Sequence, residues 1–161
     1  MTLVELITAL FSAGYLKGTW GTPKDATYQT LSVDFVRDAL TEWLSWLPSE
    51  LVVVTDLGGG KTQRAPRWES ESGDCDNIAY VFCAYLTVCA WLDAVKRGQR
   101  RGNVAAGTVF FRIRPGDLSS GHAIVWWVDH DGKTHHCDPA TKQIDHLSAE
   151  QLGSIYGGEY A

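Results

Sequence analysis

The 161-residue chain has no run of eighteen apolar residues, so no segment reads as a membrane span. It has no dense basic cluster either: fourteen Lys and Arg stand against nineteen Asp and Glu, for a net charge of −5. The most positive stretch, Lys96-Arg97-Gly98-Gln99-Arg100-Arg101, suits a helix C-terminus running into a loop, and nucleic acid is not an expected partner. The four cysteines (75, 83, 89 and 137) form no CxxC pair. Cys83 and Cys89 read as reduced core thiols, which suits a cytoplasmic protein. The apolar N-terminus carries Glu5 and lacks a positive leader, so Met1 to Ala13 reads as an amphipathic helix and not a signal peptide.

Aromatic residues are plentiful, with seven tryptophans, and the length is enough to bury one core. Helix periodicity appears over Leu3–Phe11, with Gly14 as a stop, and again after Ser32, ending before Pro48. Leu51–Thr55 reads as a strand. The triple glycine 58–60 before Lys61 is not a phosphate loop, because Thr55 stands where the first glycine belongs and no helix pattern follows. It is expected to open a polar connector that reaches Gly73. Cys75 to Arg97 is apolar on nearly every side and predicts a core helix capped by Asp74. Strands are expected over Val109–Arg114, His122–Asp129, Thr134–Asp138 and Lys142–Leu147. Ser148 and Gln151 then form a capping box for a short helix. The expected fold class is α+β, with N-terminal helices and a central buried helix packed on an antiparallel sheet. One domain is expected over 1–161, helical in 1–70, with its helix-and-sheet site part in 71–147.

Gly73-Asp74-Cys75-Asp76-Asn77 puts a thiol at a helix start, where unpaired N–H groups favour its anionic form. Gly121-His122-Ala123 and Cys137-Asp138-Pro139 follow on strands. Whether His122 meets Asp138 depends on the turn between those strands. A two-residue Asp131-Gly132 turn puts them on opposite faces. A three-residue loop, His130-Asp131-Gly132, pairs Ile124 with Asp138 and makes His122 its diagonal neighbour. Both registers are open. If the second holds, Cys75 is a candidate nucleophile, His122 its acid–base partner and Asp138 the group orienting the imidazole. Gln63 or Trp68 is a candidate second oxyanion donor. Asp74 and Asp76 oppose a thiolate by charge repulsion.

The motifs GDCDN, GHA and CDPAT together resemble the transglutaminase-like cysteine peptidases of the papain-like superfamily, over Trp68 to Thr141. The resemblance implies a transglutaminase-like, papain-like fold with a Cys75–His122–Asp138 triad. It implies a thiol hydrolase or acyltransferase acting on amide bonds of a peptide or protein through a thioester, with no cofactor. Where papain has a glutamine six residues before the cysteine, this chain has Glu69, so that donor is not carried over. The alternative is a non-catalytic peptide- or partner-binding module. A zinc site from Cys75, His122 and His136 is a further option, although the adjacent residues His135 to Asp138 alternate faces. Arg112 and Arg114 are expected on one strand face, either solvated or clamping a carboxylate.

Overall fold

The computed structural model describes residues 1–16, 18–20, 28–67, 75–99 and 102–160. Helix α1 (Leu3–Ser12) starts at a reciprocal cap. Thr2 Oγ1 accepts from the Glu5 N–H, and the Glu5 carboxylate accepts from the Thr2 N–H at 2.7 Å. Gly14, at φ +75°, takes the left-handed position after its end. Leu6 and Leu10, one turn apart, are its buried residues. Helix α2 (Val33–Trp46) is capped by Ser32, whose hydroxyl accepts from the Phe35 N–H. It stops at Leu47, which is extended, as a residue before proline must be.

Helix α3 (Cys75–Lys96) buries Ile78, Ala79, Phe82, Cys83, Leu86, Ala90 and Ala94. It is not enclosed on every side, as its composition suggested. Val81, Val88, Leu92 and Val95 fall on one stripe of the helix, and all four are exposed. Gly98, at φ +66°, ends it. The short helix α4 (Ala149–Gly153) carries the expected Ser148–Gln151 capping box.

Ten strands accompany these helices among the described residues. A six-stranded sheet runs in the order β1 (Thr19–Trp20), β10 (Gly157–Tyr160), β6 (Ala106–Arg112), β7 (Gly121–Val128), β8 (Thr134–Asp138), β9 (Gln143–Ile144). All its pairs are antiparallel except β1 with β10. β2 (Tyr28–Gln29) pairs in parallel with β5 (Asn103–Val104). Side chains alternate strictly along β7. Ala123, Val125 and Trp127 join the core under α2 and α3, while Ile124, Trp126 and Val128 join a second core under α1. The sheet is thus covered on both faces.

Three strand expectations need correction. The polar connector after the triple glycine is half of a hairpin, β3 (Val52–Gly58) with β4 (Lys61–Pro66). Most of its residues are exposed, so β4 shows no apolar alternation to read. The strand expected over Val109–Arg114 begins at Ala106 and ends at Arg112, because Arg114 enters a turn closed by Asp117. The strand expected over Lys142–Leu147 shrinks to Gln143–Ile144. β10 had no visible signal, since it begins Gly157-Gly158. Its fit requires a small neighbour: a Cβ on Gly107 would lie 1.9 Å from the Glu159 carbonyl oxygen and 2.8 Å from the Trp126 ring.

Candidate functional site

The turn between β7 and β8 decides the site. Asp129 N–H donates to the Lys133 carbonyl at 3.0 Å, and Gly132 takes φ +78°, so the loop is His130-Asp131-Gly132. The Asp129 carboxylate also accepts from the Asp131 and Lys133 N–H groups. Val125 therefore pairs with Cys137, which places Asp138 and His122 diagonally on one face. Their side chains meet, with His122 Nε2 at 3.2 Å from Asp138 Oδ2.

Asp138 is buried, and its other oxygen accepts from the Ala140 N–H at 2.8 Å and the Thr141 N–H at 3.3 Å. Burial pushes this carboxyl up, but the His122 hydrogen bond and those N–H groups more than offset it and hold it below the usual range. Burial alone would lower His122. Hydrogen bonds to Asp138 and to Cys75, with the charges of both, outweigh burial and push it up to about 9. The ring also meets Phe111 edge-on at 5.6 Å. The structure thus brings the three residues together: Cys75 half-buried at the start of α3, His122 at the start of β7, Asp138 at the end of β8. Asp76 accepts from the Asn77 N–H beside it. Gln63 lies exposed on β4 opposite Thr55. Asp74, Trp68 and Glu69 lie outside the described residues.

The histidines of β8 alternate as its geometry requires. His135 stacks on Trp127 at 5.2 Å and has a carboxylate at each ring nitrogen, Asp145 at 2.7 Å and Asp129 at 2.9 Å. His136 points to the other face. Its Nε2 accepts from the Leu147 N–H at 2.9 Å, which leaves Nδ1–H to donate to the Tyr15 hydroxyl at 2.6 Å. Burial depresses His136 to about 4. Among the described residues no group of three His, Cys, Asp or Glu is arranged to hold a metal ion, and His136 is committed to Tyr15 and Leu147. Asp145 and Tyr15 were not visible as partners in the sequence, because each arrives from a separate element.

A separate groove lies elsewhere. About 930 Å³ in volume, it is lined by Gln29, Thr30, Ser32, Trp91, Asp93 and Arg97, with His130 among its other residues. Trp91 sits sixteen residues after Cys75 on α3, roughly 24 Å along the axis at 1.5 Å per residue. Its Nε1–H donates to the Gly102 carbonyl at 2.9 Å, which fixes the plane of a partly exposed indole. Thr30 and His130 hydrogen-bond at 2.5 Å, and Asp93 pairs with Arg97. In the sequence alone Trp91 reads as core, since α3 looks apolar on every side.

No family model and no curated relative matches the chain. Solved structures do. PSL1a, in its complex with E64, superposes with a TM-score of 0.64 at 17% identity, over 99% of this chain and 51% of that one. The Polyporus squamosus lectin bound to the human-type influenza-binding epitope Neu5Aca2-6Galb1-4GlcNAc superposes with a TM-score of 0.62 at 18% identity, over 99% of this chain and 49% of that one. The chain spans about half the length of each. The expected resemblance to transglutaminase-like cysteine peptidases is corrected by this result. So are the fold name drawn from it and the thiol hydrolase or acyltransferase activity with its cysteine-protease label. What the chain shares with these two proteins is a fold, over about half of each of them. The physical reason is that GDCDN, GHA and CDPAT each specify a helix start or a strand end. Such local pieces do not determine a chain path or a reaction.

Proposed function

We propose that this chain is a non-catalytic binding module that holds a carbohydrate in the groove beside Trp91. The lining of that groove carries the reading. An indole of fixed orientation offers an apolar face to the C–H side of a sugar ring. Around it stand the amide of Gln29, the hydroxyls of Thr30 and Ser32, the Asp93 carboxylate and the Arg97 guanidinium. These supply donors and acceptors for hydroxyl groups. The volume is within the usual range for small-ligand sites. The lectin neighbour, bound to Neu5Aca2-6Galb1-4GlcNAc, supports the choice of carbohydrate. Since the likeness extends over about half of that chain, the groove's own chemistry has to bear the proposal.

Cys75, His122 and Asp138 are assigned a ligand-contacting role in the same module, apart from the groove. Their support is the hydrogen-bonded contact of a half-buried thiol, an imidazole and a carboxylate. E64, the compound in the PSL1a complex, is the one to offer there.

The test is a calorimetric titration of Neu5Aca2-6Galb1-4GlcNAc and of E64 into wild type, Trp91→Ala and Cys75→Ala, beside an assay for amide cleavage. Saccharide binding weakened about tenfold or more by Trp91→Ala, about 1.4 kcal/mol, and untouched by Cys75→Ala, supports the groove. Cys75-dependent binding of E64 without cleavage supports the cluster's role. Amide cleavage that disappears in Cys75→Ala overturns the non-catalytic reading, and saccharide binding indifferent to Trp91 overturns the groove.

A further inference from the structure

Arg112 differs from its neighbour two residues on. Arg114 is neutralised by Asp117, with Nε and a terminal nitrogen at 3.0 Å and 2.7 Å from one carboxylate oxygen. Among the described residues, Arg112 has no carboxylate within ion-pair distance, although its charge is felt at Asp117. Its guanidinium lies 4.1 Å over the Tyr156 ring and donates one hydrogen bond to the Leu118 carbonyl at 2.6 Å. Its backbone N–H is held too, donating to the Ser154 hydroxyl at 3.1 Å.

An aromatic row leads up to this cation. Tyr156 stacks on Phe110 at 6.2 Å, and Phe110 meets Tyr80 edge-on at 6.4 Å. Tyr80 and Tyr156 are both exposed. On β7, the residue opposite Arg112 is Gly121. A Cβ there would lie 3.0 Å from the Tyr156 hydroxyl oxygen and 3.3 Å from a terminal nitrogen of Arg112. Glycine thus leaves the pair its room.

We propose that Arg112, with the Tyr156–Phe110–Tyr80 row, is a binding site for a small carboxylate that carries a ring. The guanidinium has donors left over and is held in one orientation, which lowers the ordering cost of a carboxylate fork. The ring body of the ligand lies along the aromatic row, and the fixed cation at its end selects an anion over its neutral analogue. The site is separate from the Trp91 groove and does not depend on it, since Tyr80 lies eleven residues before Trp91 on α3.

Chemical-shift titration of the whole chain tests this, with glucuronate and benzoate as carboxylates and glucose and benzyl alcohol as neutral counterparts. Binding of either carboxylate, at least tenfold tighter than its neutral counterpart and weakened by salt, is expected. Binding by glucuronate alone identifies a sugar acid as the ligand class, and binding by benzoate alone an aryl acid. Arg112→Gln abolishes the preference for the anion, while Arg114→Gln keeps it. Equal binding of acid and neutral analogue to wild type overturns the proposal without any variant. So does an Arg114→Gln loss as large as that of Arg112→Gln, or no binding of either acid.

Discussion

His122 Nε2 and Asp138 Oδ2 stand 3.2 Å apart across two neighbouring strands, and they meet because the loop between those strands has three residues rather than two. In the two-residue register the same side chains would face opposite sides of the sheet. The contact also sets the charge of the imidazole. Burial alone would lower the His122 pKa, yet the hydrogen bonds to Asp138 and Cys75 raise it to about 9. A histidine whose folded pKa exceeds its unfolded value of about 6.5 contributes stability that is complete below 6.5 and lost as pH rises through 9. NMR titration of His122 is expected to show a midpoint near 9. Asp138→Asn and Cys75→Ala should each lower it, and an unmoved midpoint in Asp138→Asn would contradict the pairing.

His136 gives the opposite dependence. Its folded pKa is depressed to about 4, so its contribution is present above about 6.5 and fades as pH falls toward 4. Asp145, held below the usual carboxylate range by its histidine contacts against the pull of burial, adds acid sensitivity at lower pH. Denaturant unfolding between pH 7 and 4 should show stability falling, with a shallower slope in His136→Gln. His136→Leu, which has no acceptor, is expected to lose about 1–3 kcal/mol at pH 7, because the Leu147 N–H is left unpaired.

Two glycines separate two kinds of constraint. Gly132 has open space around its Cα and φ +78°, so Gly132→Ala meets only backbone strain of about 1–2 kcal/mol. Gly107→Ala drives a methyl into the Glu159 carbonyl and the Trp126 ring and must separate β10 from β6. A loss of about 3 kcal/mol is expected there. Thermal melts of the two variants rank them, and equal losses would contradict the packing at β10.

Cysteine accessibility follows burial. Cys83 and Cys137 are buried, and burial pushes the Cys83 thiol up to about 12 and the Cys137 thiol well above its ordinary value. Cys89 is half-buried and also raised, by burial first. Iodoacetamide at neutral pH is expected to reach Cys75 before these three, read by peptide mass. Earlier modification of Cys83 would contradict the placement of α3.

The sequence announced long periodic elements and missed exposed or glycine-rich ones. Ser32, Pro48 and Gly98 marked helix ends because each acts through its own backbone or side chain. The β3–β4 hairpin and β10 escaped notice, since a strand with both faces wet, or one beginning Gly-Gly, carries no alternation. The His122–Asp138 contact was legible as one of two registers, and loop geometry made the choice. Trp91 was hidden in an apolar helix whose exposed stripe emerges only when the helix docks by its other face.

The most direct test of the binding-module assignment is an oligosaccharide array probed with wild type and Trp91→Ala. Retention of wild type on a defined set of glycans, lost in Trp91→Ala while the fold is kept, is the result expected. No glycan retained by wild type, or the same retention by both proteins, would contradict it.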